Sequence, residues 1–232
     1  MIDKRATKVV VADTHIWTLW FIGGFTLVVI GMEVIPAFVS RIEIPDTSAL
    51  EAIYQSSKVF MLVVGIMAIY TFLNLFIEFG KTRQDYIHAL TISGLLLAVT
   101  LSVGALLVSA LLTPIFDQPT QAVINETAVH YLSIDAALIM VSTYVFYFAL
   151  GMFITSIFYR FGWIIGILGV GVAIFITIIE SYLFGTESIF SGLHSLGDGV
   201  NLYLAALLTL VASGLIFMLL KKLLARVQIS VS

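Results

Sequence analysis

Long apolar segments dominate the chain and predict helices that span a membrane. About 20 helical residues are needed to cross about 30 Å of hydrocarbon. In lipid, a segment must satisfy its backbone hydrogen bonds internally, which favours helices over loops and open sheets. The pattern therefore predicts an all-α membrane protein with a single transmembrane domain over residues 1–232. Its six predicted spans are 16–38, 59–77, 89–113, 136–159, 161–184 and 200–220.

Lysine and arginine fall unequally on the two sides of these spans. Basic residues are enriched in the cytoplasmic loops of membrane proteins. Nine lie in the tails and the predicted inner turns, and two lie in the predicted outer segments. The asymmetry predicts that both termini are cytoplasmic. The inner set is Lys4, Arg5, Lys8, Lys81, Arg83, Arg160, Lys221, Lys222 and Arg226, and the outer pair is Arg41 and Lys58.

Composition excludes a soluble globular fold and several kinds of active site. Hydrophobic residues make up 60% of the chain and charged residues 11%, with a mean hydropathy of +1.11. A soluble domain is usually about 45–50% apolar and about 25% charged. There is no cysteine, which excludes disulfides, thiolate metal sites and cysteine nucleophiles. The phosphate-loop and zinc-helix motifs are also missing, so we expect no nucleotide hydrolysis or zinc chemistry in this chain.

The segments outside the spans are short. Residues 2–15 mix valines with lysine and arginine, which favours either a short amphipathic helix on the inner surface or a frayed basic tail. Residues 114–135 and 185–199 are rich in turn-forming and acidic residues, and we expect outer loops or re-entrant pieces there. Spans four and five meet at residues 159–162 with almost no connector, which predicts a tight antiparallel hairpin.

Two acidic residues lie inside the predicted spans, both near the predicted outer surface. Ionisable groups within a membrane commonly mark a substrate or ion pathway. Glu33 and Glu180 are therefore candidates for a translocation path. The alternative is that each carboxylate reaches the outer headgroups or accepts a hydrogen bond from a neighbouring helix.

The inner turn between spans two and three is the most informative segment. It combines charged residues with aromatic residues at both ends, Phe79 and Tyr86. Gly80 is suited to end span two, and Thr82 followed three positions later by Asp85 favours the start of a short helix. We expect such a helix to lie on the inner surface as a docking element for a soluble partner. The alternative is a plain basic loop that only sets topology.

The same turn resembles a known motif. Six spans, a basic interfacial N-terminal segment and this inner turn are similar to the permease subunits of bacterial ABC-2-type exporters. In that family the turn reads Phe, Gly, a small or basic residue, Ser or Thr, Arg, a polar pair and an aromatic residue. Phe79, Gly80, Thr82, Arg83, Asp85 and Tyr86 match it position by position, within a segment that also contains Lys81 and Gln84.

This resemblance implies a function and a set of partners. The turn would be a coupling helix seated on a separate ATP-binding-cassette subunit, and two permease subunits would pair within the complex. ATP and magnesium would bind to the partner subunit, and this chain would carry no cofactor or metal and would not be an enzyme. The substrate, a peptide, a lipid or a drug-like molecule, would move outward across the bacterial cytoplasmic membrane. No nucleic acid is implied.

Other functions compatible with the sequence are kept as alternatives. A small-molecule-binding subunit of an importer, for a vitamin or an ion, would need an outward-facing polar pocket, for which Glu33, Glu180 and His194 are the candidates. An intramembrane enzyme would need a buried nucleophile or metal set, and the spans supply none. A structural or regulatory membrane protein is the remaining alternative.

Overall fold

The protein is a bundle of long apolar helices. The computed structural model describes residues 4–38, 48–78, 83–116, 120–124, 127–184 and 201–225. Within these ranges, five helices are long and apolar enough to cross a membrane, which confirms the multi-pass membrane character predicted from the sequence. They are α1 (Lys4–Phe38), α2 (Ala49–Glu78), α3 (Arg83–Phe116), α4 (Ile134–Leu183) and α5 (Leu202–Ala225).

The longest helix, α4, folds back on itself at Gly162. The backbone there has φ 79° and ψ −177° inside an otherwise helical segment of 50 residues. A Cβ atom at Gly169 would lie 2.8 Å from Cδ1 of Ile157, whereas a straight helix would separate these two residues by about 18 Å. The two arms of α4, residues 134–161 and 163–183, are therefore antiparallel, in agreement with the tight turn predicted at 159–162.

Contacts between helices fix their relative directions. The Thr14 hydroxyl lies 2.8 Å from that of Ser93, and Ile22 lies against Gly104, so α1 and α3 are parallel. Helix α2 runs parallel to the first arm of α4, since Tyr54 bonds to Thr143 and Ile66 bonds to Thr155. Helix α5 is parallel to the same arm, since Tyr203 bonds to Asp135 and Arg160 bonds to Leu223. The bond from Tyr86 to Ala68 places the start of α3 beside the second half of α2, so α3 is antiparallel to both α2 and α5.

These directions place the described ends of the chain together. The start of α1 at Lys4, the turn at Gly162 and the end of α5 at Ala225 all lie at one end of the bundle, which we call the turn end. The opposite end carries residues 120–124 and 127–133, and we call it the hairpin end.

A β-hairpin corrects the all-α expectation. Strands β1 (Gln121–Ile124) and β2 (Thr127–His130) pair antiparallel, where the sequence predicted only an outer loop or a re-entrant piece. Ala122 and Ile124 on β1 are buried. Because alternate residues of a strand point to opposite faces, this short alternating stretch packs one face on the bundle. The turn residues that flank it concealed the alternation.

A reciprocal cap holds the hairpin to α2. The Ser48 amide donates to Oε2 of Glu51 over 3.1 Å, and the Glu51 amide donates to the Ser48 hydroxyl over 3.3 Å, which is a capping box. Oε1 of Glu51 accepts a second bond from the Val123 amide at 2.6 Å. Helix α2 therefore begins at Ala49 and not at 59, and Lys58 lies within the helix instead of in the outer loop.

The N-terminal segment is also continuous with the bundle. A separate amphipathic helix over residues 2–15 is not present as an element of its own, since α1 runs unbroken from Lys4 to Phe38. Val10 is fully buried, and Thr14 contacts Ser93. These contacts hold the second half of the predicted interfacial segment against α3, and no helix-breaking residue separates it from the span.

Candidate functional site

A group of polar and aromatic side chains is buried between α2 and both arms of α4. It lies towards the hairpin end, because Lys58 is nine positions, or about 14 Å, along α2 from Ala49. We call this group the Lys58–Glu180 cluster, and it consists of Tyr54, Ser57, Lys58, Thr143, Tyr144, Tyr147 and Glu180.

Helical spacing brings these residues to one place. Tyr54 and Lys58 are four apart on α2, and Thr143 and Tyr147 are four apart on the first arm of α4. Residues at this spacing lie on the same face of a helix. The turn at Gly162 returns the second arm so that Glu180 reaches the same level. The parallel packing of α2 on the first arm then closes the cluster.

Two aromatic rings lie against the Lys58 ammonium group. Its Nζ atom lies 4.7 Å from the centre of the Tyr54 ring and 5.8 Å from the centre of the Tyr147 ring. A cation within about 6 Å of a ring centre is attracted by the negative face of the aromatic system. The Tyr54 ring also stacks on that of Tyr144 at 6.0 Å. Lys58 therefore lies against two tyrosine rings, those of Tyr54 and Tyr147, which we call the aromatic cage.

Glu180 supplies the negative charge of the cluster. The residue is 5% exposed, and its Oε1 atom has no hydrogen-bond partner among the described residues. It interacts electrostatically with Lys58. The two groups therefore attract each other across the cluster, and Oε1 of the Glu180 side chain keeps free acceptor capacity. The alternative that Glu180 reaches the outer headgroups does not agree with this burial.

Two further hydroxyl groups of the cluster lie beside each other. Tyr54 donates to Oγ1 of Thr143 over 3.3 Å, and the hydroxyls of Ser57 and Tyr144 interact with each other, although neither makes a hydrogen bond of good geometry within the described residues. Buried polar groups in proteins almost always have a hydrogen-bond partner, and each orphan costs about 1–3 kcal/mol. Oε1 of Glu180 and this hydroxyl pair are therefore the least well bonded polar atoms of the cluster.

The sequence identified one member of this cluster and missed the others. Glu180 was a candidate, but its partner Lys58 was assigned to the outer loop because the apolar run begins at Val59. The capping box at Ser48 and Glu51 was the signal that extends α2 back over Lys58. Glu33 lies in α1, its side chain lies outside the described part of the structure, and His194 lies outside the described residues.

The predicted coupling residues are only partly described. Phe79, Gly80, Lys81 and Thr82 lie outside the described residues, and the next four, beginning with Arg83, form the first turn of the long helix α3. These four residues are therefore part of α3 and do not form the separate short helix that the sequence predicted.

Tyr86 is buried, contrary to the expectation of an exposed aromatic end. It is 1% exposed, and its hydroxyl donates to the carbonyl oxygens of Ala68 and Ile69 over 3.0 and 3.1 Å. The start of α3 is thus bonded directly to α2. The residue is suited to transmit a movement of the inner turn, and a soluble partner would not contact it.

The described residues hold no group of three or more His, Cys, Asp or Glu side chains placed to bind a metal ion. Comparison of the chain with protein-family models, with curated proteins and with solved structures finds no match.

Proposed function

We propose that the protein is the transmembrane subunit of an ATP-driven exporter of the bacterial cytoplasmic membrane. The observation that carries this proposal is the bond between Tyr86, next to the inner turn, and the carbonyls of Ala68 and Ile69 on α2. This bond joins the turn that resembles a coupling motif to α2. Lys58 lies on the same helix, ten positions before Ala68.

The mechanism is a rigid-body switch between two packings of the bundle. A partner ATPase seated on residues 79–85 pushes the inner turn when ATP binding closes the ATPase, and the buried Tyr86 passes the push to α2. Helix α2 is continuous from the turn to Lys58, so the push reaches the Lys58–Glu180 cluster with little loss in bending. Movement of α2 against α4 then opens or closes the cluster, which we place on the substrate path together with Glu33.

The same proposal includes six crossings with both termini in the cytoplasm. The second arm of α4, residues 163–183, is about 31 Å long, which is enough to cross the hydrocarbon layer alone. Each arm of α4 therefore serves as one span. The complex would contain a second permease subunit, and ATP and Mg²⁺ would bind to the ATP-binding-cassette subunits, so this chain has no catalytic role of its own.

Reconstitution with a candidate ATPase encoded beside this chain tests the proposal. Arg83→Glu reverses one charge in the docking turn, and we expect it to abolish the stimulation of ATP hydrolysis and transport. Lys222→Glu is the matched control, because it reverses an exposed charge at the same end of the bundle. Normal coupling in Arg83→Glu, or intrinsic ATPase activity of the purified chain, contradicts the assignment.

A second candidate function is the solute-binding subunit of an importer. The observation that favours it is the position of the Lys58–Glu180 cluster towards the hairpin end, which the charge pattern places outside. Such a subunit would bind its solute from outside without any ATPase, and together with an energy-supplying partner it would accumulate the solute in cells. Uptake into intact cells, compared with export from inverted vesicles, separates the two functions.

A further inference from the structure

We propose that the aromatic cage in the Lys58–Glu180 cluster binds a small organic ammonium cation, and that Lys58 is its internal occupant in the absence of that ligand. This deepens the proposed function, since it names the chemical class of a solute that the bundle would carry. Binding to the isolated chain is nevertheless independent of any ATPase.

The geometry already shows how the site holds an ammonium group. The Nζ atom of Lys58 lies over the rings of Tyr54 and Tyr147 at 4.7 and 5.8 Å, and rings of this kind recognise alkylammonium ligands through their negative faces. Glu180 supplies the compensating charge from the second arm of α4. A foreign ammonium group in this position would find the same faces and the same carboxylate.

One wall of the cage is held firmly, whereas the Lys58 side chain is flexible. The Tyr54 ring is fully buried and stacked on the buried Tyr144 ring, and the other wall, Tyr147, is partly buried. Lys58 is only partly buried, and its ammonium group is carried on a flexible four-carbon chain. Its head can therefore leave the cage and reach the outer interface, as lysines near membrane surfaces commonly do.

The charges of the cluster set both the selectivity and the stoichiometry. One carboxylate balances one cation, so a bound ammonium ligand and the Lys58 head exclude each other. An anionic ligand is disfavoured, because it would meet the negative ring faces and the Glu180 carboxylate. Oε1 of Glu180, which has no hydrogen-bond partner among the described residues, supplies an acceptor for the N–H groups of a primary ammonium ligand or for its hydration water.

Removal of the occupant tests the proposal on the purified chain in lipid nanodiscs. We expect Lys58→Met to bind tetramethylammonium saturably, with a Kd at least tenfold lower than that of the wild-type protein, measured by calorimetry. The uncharged tert-butanol, of similar size, should not bind. Lys221→Met, at an exposed position on α5, is the matched control and should behave as wild type. Adding Glu180→Gln to Lys58→Met should weaken binding again at least tenfold.

A measurement on the unaltered protein covers the case in which Lys58→Met does not fold. Tetramethylammonium should release the Lys58 head and raise its rate of reductive methylation severalfold, followed by mass spectrometry, while Lys221 reacts unchanged. Folded Lys58→Met without saturable binding overturns the proposal, and so does unchanged Lys58 labelling where that variant is unfolded. Loss of ATPase coupling in Arg83→Glu without loss of binding separates this proposal from the exporter assignment.

Discussion

The backbones of Gly65 and Gly151 are in direct contact where α2 crosses the first arm of α4. A Cβ atom at Gly65 would lie 3.2 Å from Cα of Gly151, and it would also clash with the carbonyl oxygen of Phe148. Small residues allow membrane helices to approach this closely. The crossing lies between the inner turn and the Lys58–Glu180 cluster, so it is the pivot about which α2 would move.

We expect Gly151→Ala to destabilise the bundle by about 1–3 kcal/mol, because an added methyl group in a well-packed contact forces the backbones apart. The clash would be with the carbonyl oxygen of Leu62, which is backbone and cannot rotate away. Thermal denaturation in detergent measures the effect. Gly171→Ala is the control, since nothing lies within 4 Å of its added Cβ atom. Equal denaturation midpoints for the two variants would contradict the tight crossing.

Gly162 has a different requirement, which is conformational. No atom lies within 4 Å of a Cβ atom built there, but its φ of 79° and ψ of −177° define a region that essentially only glycine occupies. Gly162→Ala should therefore lower stability by about 1–3 kcal/mol. Asparagine tolerates ordinary left-handed positions, but it should be no better here. A Gly162→Asn variant as stable as wild type would show that the turn is more conventional than this backbone indicates.

Glu51 is expected to control the hairpin. Glu51→Ala removes the acceptor of the Ser48 and Val123 amides and should cost about 1–2 kcal/mol, as the loss of a helix cap usually does. The amides of residues 121–130 should then exchange faster with deuterium. Gln55→Ala, one turn later on α2 and exposed, should leave that exchange unchanged. Unaltered exchange in Glu51→Ala would mean that packing alone holds the hairpin.

Tyr86→Phe should cost about 1 kcal/mol, because it removes one donor to the Ala68 and Ile69 carbonyls while keeping the buried ring. The thermal midpoint is compared with that of Tyr70→Phe, whose ring is 55% exposed. In a reconstituted complex, Tyr86→Phe should also reduce transport per ATP hydrolysed. Transport equal to that of Tyr70→Phe would remove the link between the turn and α2 from the mechanism.

Apolar runs predicted the helices well but not the places where they begin. The apolar run of span two starts at Val59, but the cap at Ser48 and Glu51 extends α2 by ten residues and carries Lys58 into the bundle. A hydropathy pattern treats a charged residue as the end of a span, whereas the structure places the partly buried Lys58 against the Tyr54 and Tyr147 rings. Gly162 was predicted as a turn because the two apolar runs leave no room for a loop.

The cluster itself was out of reach of sequence reasoning. Tyr54 and Tyr147 are 93 positions apart in the sequence, and they meet through Lys58 only because α2 and the first arm of α4 pack in parallel. No local pattern encodes that choice of neighbour. The buried hydrogen bonds of Tyr86 were likewise not predictable, since an aromatic residue beside charged ones is equally typical of an interface.

The arrangement of α1 and α5 restricts the number of times that the chain can cross the membrane. The described chain enters the bundle and leaves it at the same end, with Lys4 and Ala225 on one side, so any path through the bilayer that keeps this arrangement has an even number of passes. Reporter enzymes fused to the two ends of the chain are therefore expected to score the same compartment. A pair of fusions that disagrees would show that one helix lies along the surface, however apolar its sequence.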